Sequence, residues 1–181
     1  MALDRDATLK KAEKLLRQGR LEPAIAEYVH VVEEFPRDWS TANTLGELYA
    51  RSGQTEQAVA QYSRIAQHFV DEGFYPKAAA LYKKILKLQP QDEVTQIQLA
   101  DISARQGLLA DAKSHLNIIA ARRRAKGDRR GAAEIVVRLG TIDPADFDAR
   151  LAAARSLRHR STRRCGTRFW KRFSDRDRTW C

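Results

Sequence analysis

The side chains that could do chemistry fall into three sets. Glu13 with Arg17, Glu47 with Arg51, and Asp101 with Arg105 each place an acid four residues before a base, a ladder that could read a partner's charges. The same spacing also describes an i, i+4 pair on a solvated helix face, stabilising by about 0.2–0.5 kcal/mol, and that plainer reading comes first. Arg122, Arg123, Arg124, Lys126, Arg129 and Arg130 crowd the segment around Gly127. Such a cluster could neutralise phosphates and release counterions. With no stacking aromatic close by in sequence, cations complementing a helix C-terminal dipole explain it better. The third set is His30, His68, His115 and His159, which form no metalloprotease-type pair. No phosphate-binding glycine loop or nucleophile elbow occurs either. The chain is therefore read as a non-enzyme with no cofactor and no metal.

The elements that carry these residues follow from composition and periodicity. A chain of 181 residues that is 43% hydrophobic can build a core and is not disordered throughout. No apolar run is long enough to span a bilayer, and the start, Met1-Ala2-Leu3-Asp4-Arg5-Asp6, is unlike a signal peptide, so a cytoplasmic protein is expected. Cys165 and Cys181 both lie near the end, which leaves the body without a disulfide framework. The formal charge of +10 is uneven: residues 160–181 hold seven Arg, one Lys and two Asp, giving +6 and leaving +4 for the rest. The body is only mildly basic.

Self-comparison exposes a repeat. Gly19, Ala24 and Tyr28 recur thirty-four residues later as Gly53, Ala58 and Tyr62, whereas Gly53 to Gly73 is only twenty residues. The two spacings add to a longer unit of fifty-four. At that shift Gly53, Ala58, Ile65, Gly73, Ala78, Ala79, Pro90 and Asp92 map onto Gly107, Ala112, Ile119, Gly127, Ala132, Ala133, Pro144 and Asp146. A twenty-residue step suits one extra helix and its turn, so each long unit reads as three helices. Ile25, Tyr28, Val29 and Val32 share one helical face, as do Leu81, Tyr82, Ile85 and Leu88. Gly19, Gly53 and Gly107 mark helix ends, as do Pro36, Pro90 and Pro144. The pattern predicts helices near 5–18, 22–35, 39–52, 55–71, 75–88, 93–106, 109–126, 129–142 and 146–158. Ala24 with Tyr28 and Ala58 with Tyr62 set a small residue at a helix crossing and a ring beside it.

Leu45, Gly46, Tyr49, Gly53, Ala58, Tyr62 and Ile65, with Gly19, Ala24, Tyr28, Val31 and Pro36 in the preceding copy, resemble the tetratricopeptide repeat. The match runs from Asp6 to about Arg158, with Thr8 and Ala42 in place of the family's early Trp and Val70 in place of a closing Pro. The resemblance implies an all-α solenoid of antiparallel helix pairs in a right-handed superhelix, about nine helices, acting as a scaffold that binds proteins. One domain is expected over 1–159, with units near 5–38, 39–92, 93–146 and a partial unit at 147–159. It also implies a concave groove receiving a partner peptide or helix, displaying Leu9, Glu13, Leu16, Arg17, Asn43, Glu47, Arg51, Ile97, Asp101 and Arg105. The family's Lys and Asn clamp for carboxylate termini is not implied, because Leu9 and Glu13 stand where it would begin.

The pattern stops near Arg160. Beyond it Arg163, Arg164, Arg168, Phe169, Trp170, Lys171, Arg172, Phe173, Arg176, Arg178 and Trp180 form a basic aromatic tail. Residues 160–181 are read as disordered or non-native, from truncation or a shifted frame; a nucleic-acid or membrane-binding arm and a helix cap are the competing readings. Phe147, Leu151 and Leu157 on the last helix would then lack a capping unit, which favours self-association. The alternative function is nucleic-acid association through Arg122–Arg130 and the tail.

Overall fold

A computed structural model describes residues 4–155, apart from 144, 147 and 149. Among them the chain forms α1 (Arg5–Arg17), α2 (Leu21–Glu34), α3 (Trp39–Arg51), α4 (Thr55–Asp71), α5 (Tyr75–Leu88), α6 (Glu93–Arg105), α7 (Leu109–Ala125) and α8 (Arg129–Ile142). Residues 148 and 150–155 are helical, and no strand is present among the described residues. Each end lies within a residue of the sequence expectation through α8. The predicted end of the last helix, at 158, falls outside the described residues, as does the whole tail.

The helix lengths repeat. Helices α3, α4 and α5 have 13, 17 and 14 residues, and α6, α7 and α8 repeat those lengths. Helix α2, at 14 residues, begins fifty-four positions before α5, so α1 and α2 stand for the last two helices of a unit.

Two turn chemistries recur, each legible in the sequence. After α3, Gly53 adopts φ 77°. That left-handed position costs glycine nothing and lets the Gln54 N–H donate to Tyr49 O at 2.9 Å while Gly53 N–H reaches Ala50 O. The same closure ends α4, where the Phe74 N–H donates to Phe69 O at 2.7 Å. The other turn carries proline and leads into an aspartate cap. Helix α2 gives way at Pro36, and Asp38 then starts α3 by accepting from Thr41 N at 3.1 Å and Thr41 Oγ1 at 2.6 Å. Asp92 and Thr95 repeat this arrangement fifty-four residues later, at the start of α6.

The helices gather into two compact units that divide between Gln98 and Leu99. In the first, Ala24, Val31, Ala42, Leu45, Ala58, Ile65, Ala66, Ala78 and Ile85 are buried. In the second, Leu99, Ala100, Ile102, Ala112, Leu116, Ile119 and Ala120 are buried. Leu45, Leu48, Ala58, Tyr62, Ile65, Ala66, Ala78 and Leu81 of the first unit each have a buried apolar counterpart fifty-four positions later. The repeat is thus a repeat of packing positions, which is why it shows at the small residues and aliphatics. Among the described residues no helix is long and apolar enough to cross a membrane.

Candidate partner-binding surfaces

Within the first unit, Asn43 and Glu47 of α3, expected to line a groove, meet a cation from α5. The Lys84 ammonium donates to Glu47 Oε1 at 2.7 Å and to Asn43 Oδ1 at 3.2 Å, and Asn43 Nδ2 donates to Glu47 Oε1 at 3.2 Å. Lys84 also lies 5.2 Å from the centre of the Tyr62 ring. Burial first, and then the charge of Glu47, raise the Tyr62 phenol above its ordinary pKa, so the ring stays neutral beside its cation. The Glu47 and Lys84 side chains are 50% and 39% exposed, so the pair can open toward a partner at little cost.

The second unit builds the same pair from the same positions. Asp101 and Arg138, each fifty-four residues beyond Glu47 and Lys84, form an ion pair at 2.5 Å between α6 and α8. This departs from the sequence reading of i, i+4 pairs. Among the described residues no ion pair joins Glu13 to Arg17 or Glu47 to Arg51, and the acids of α3 and α6 turn to cations two helices later. Lys84 and Arg138 were not among the predicted site residues, although the shared offset was there to find them.

The other residues expected in a groove lie apart from these ion pairs. Leu9 and Leu16 are half-buried on α1, with Glu13 and Arg17 exposed on the same helix. Arg51 is exposed at the end of α3, and Ile97 is half-buried on α6. Arg105 is exposed on the part of α6 that belongs to the second unit.

Two further surfaces carry charge or rings. In the basic cluster Arg122 and Arg123 are half-buried, with Arg123 Nη1 donating to Gly131 O at 3.3 Å, so part of the cluster ties α7 to α8. Arg124, Lys126, Arg129 and Arg130 remain exposed, Arg130 lying 3.6 Å from Glu134.

The second of these surfaces was missed in the sequence. Trp39 stacks on His68 with ring centres 4.2 Å apart. Phe69 follows His68 on α4 and meets Phe74 edge to face at 6.3 Å. Arg64 lies 5.5 Å over Trp39, and Lys77 lies 4.8 Å over Phe74. His68 is therefore half-buried in a row of rings, while His30 is exposed, His115 half-buried and His159 outside the described residues. Among the described residues no group of three or more His, Cys, Asp or Glu could hold a metal ion.

Comparison with known proteins bears on the fold. Residues 3–86 match the family model described as a bacterial transcriptional activator domain, which is less than half of the chain. No curated protein matches the sequence. Among solved structures, the chain is similar to the TPR-like repeats of a kinesin light chain-like protein from Podosopora anserina, at 14% identity and TM-score 0.51, covering 87% of this chain and 95% of that one. It is also similar to BtubC (BKLC) from P. vanneervenii, at 16% identity and TM-score 0.52, covering 87% and 71%. Likeness at such identity speaks to fold alone, and it agrees with the helix pairs, glycine turns and alanine crossings described above. In its fold, the chain is a tetratricopeptide-type helical-repeat protein.

Proposed function

We propose that this protein is an interaction scaffold without chemistry of its own, receiving a partner peptide or helix on the faces that carry its repeated ion pairs. The observation that carries this reading is the Asn43–Glu47–Lys84 cluster, part-exposed on two different helices and rebuilt as Asp101–Arg138 in the second unit. Ion pairs this open to solvent contribute little to stability, so their recurrence is better explained by recognition than by folding. Leu9, Leu16 and Ile97 supply apolar contacts in the proposal, and Glu13, Arg17, Arg51 and Arg105 supply charges. A cytoplasmic setting and self-association through Leu151, 36% exposed on the last helix, belong to the same proposal.

A second reading rests on exposed Arg124, Lys126 and Arg129, with the basic tail, as a nucleic-acid surface. One experiment separates the two. Proteins recovered from nuclease-treated native lysate at low and high salt are compared for the parent, Glu47→Lys, a triple Arg124, Lys126 and Arg129 to Glu variant, and residues 1–159. The scaffold reading expects the same proteins at high salt from the parent and from residues 1–159, and their loss with Glu47→Lys. Binding that disappears with nuclease, salt, the triple variant or the tail overturns it in favour of nucleic acid.

A further inference from the structure

The ring surface of the first unit is not required by the repeat. Trp39, Arg64, His68, Phe69, Phe74 and Lys77 are matched fifty-four positions later by Glu93, Ile118, Arg122, Arg123, Asp128 and Gly131. Yet α6, α7 and α8 form with the same lengths and the same glycine turn. The packing that makes a unit is therefore indifferent to whether these positions carry rings.

Position 74 sharpens the point. Asp128 caps α8 by accepting from Gly131 N at 2.7 Å, whereas Phe74 at the equivalent place gives α5 no side-chain cap and is 49% exposed. An exposed ring thus stands where a polar cap would serve the helix better.

We propose that this surface docks an acidic, apolar-anchored segment of a partner protein. Its carboxylates would meet Arg64 and Lys77, and an aliphatic or aromatic side chain would lie between them against Phe69 and Phe74. Charge complementarity selects the occupant. Among the described residues Arg64 hydrogen-bonds the neutral Gln61 Oε1, at 3.2 Å, and Lys77 lies over two rings. Neither joins an ion pair among the described residues. Both cations can accept a carboxylate without displacing one of the protein's own, and the apolar surroundings strengthen the pairing. Nucleobases suit the surface less well. Trp39 is already stacked on His68 and overlain by Arg64, and Phe69 is already in contact with Phe74 and Lys77, so stacking a base would displace an existing partner.

The test uses the full chain and three fluorescent probes: a short peptide alternating Glu with Leu and Phe, the same peptide with Gln for every Glu, and oligo-dT. Binding is read by anisotropy and folding by circular dichroism. The Glu peptide should bind with an affinity that falls as salt rises, and the Gln peptide should bind far more weakly. The double variant Arg64→Glu, Lys77→Glu should weaken the Glu peptide by about tenfold or more. Phe74→Asp should weaken it as well, with thermal stability close to the parent's, since α5 gains a cap as it loses a ring contact. His30→Ala, at an exposed position on α2 that belongs to neither surface, should leave this binding unchanged. The proposal is overturned if the Glu peptide does not bind, if the double variant binds it as the parent does, or if oligo-dT is held more tightly through these residues.

Discussion

The backbone of Gly46 lies directly against the ring of Tyr62: a Cβ at position 46 would stand 2.8 Å from Tyr62 Cε1. A helix interior normally favours alanine over glycine by about 1 kcal/mol. Here the ring is 3% exposed and has no open side to move into, so the clash outweighs the propensity gain. Gly46→Ala should lower stability by about 1–2 kcal/mol. The second unit carries Ala100 and Leu116 at the corresponding positions, both fully buried. The double variant Gly46→Ala, Tyr62→Leu should therefore recover much of the loss in urea melts, and failure to recover would show that the two positions are not coupled.

Asp38 ties the start of α3 to α1. It accepts from the backbone and hydroxyl of Thr41, and Arg5 reaches it at 2.6 Å. Burial alone would raise its pKa, but the Thr41 hydrogen bonds and the Arg5 pairing together hold it below the ordinary carboxylate value. A carboxylate with a depressed folded pKa contributes stability that is present above the unfolded value, near 4, and lost as pH falls through the folded one. Asp38→Ala should cost about 1–2 kcal/mol at neutral pH, because the cap goes and the buried Thr41 hydroxyl loses its acceptor. The gap between parent and variant should close in thermal melts as the pH is lowered below 4.

Ala58 and Ala112 are both 0% exposed and occupy the same crossing in successive units. Leucine at either place adds volume where packing leaves none, and each variant should lose about 1–3 kcal/mol. Unchanged melting temperatures in both would argue against the fifty-four-residue register.

Alkaline sensitivity should come from the tyrosines. Burial first, and then nearby carboxylates, raise the pKa of Tyr28, Tyr49, Tyr62 and Tyr82. A group whose folded pKa is raised contributes stability that is complete below its unfolded value, about 10 for tyrosine, and lost as pH rises through the folded value. Phenolate absorbance should accordingly rise together with the loss of helical circular dichroism above pH 10. Full ionisation of these four tyrosines before any helix is lost would contradict the raised values.

Much of the architecture was legible before any coordinates. Helix ends at Gly53 and Pro36 depend on local backbone chemistry, and burial of Ala58 or Ile65 follows from spacing on one face. Side-chain contacts made between helices were not legible in the same way. The ladder of Glu47 with Arg51 looked local, and the structure sends Glu47 to Lys84. Trp39 and His68 lie twenty-nine residues apart and stack only because α3 and α4 pack side by side.

The sequence by itself determined where the helices end and which positions are buried, because turn and core positions are set by short-range rules that a fixed offset exposes. Only the tertiary structure decided which exposed side chains meet: Asn43 and Glu47 with Lys84, and Trp39 with His68 and Arg64. The physical reason is one of range. A helix end or a buried alanine answers to neighbours within a turn or two. A long polar or aromatic side chain on the surface chooses among several partners, and helix packing decides which lies within reach.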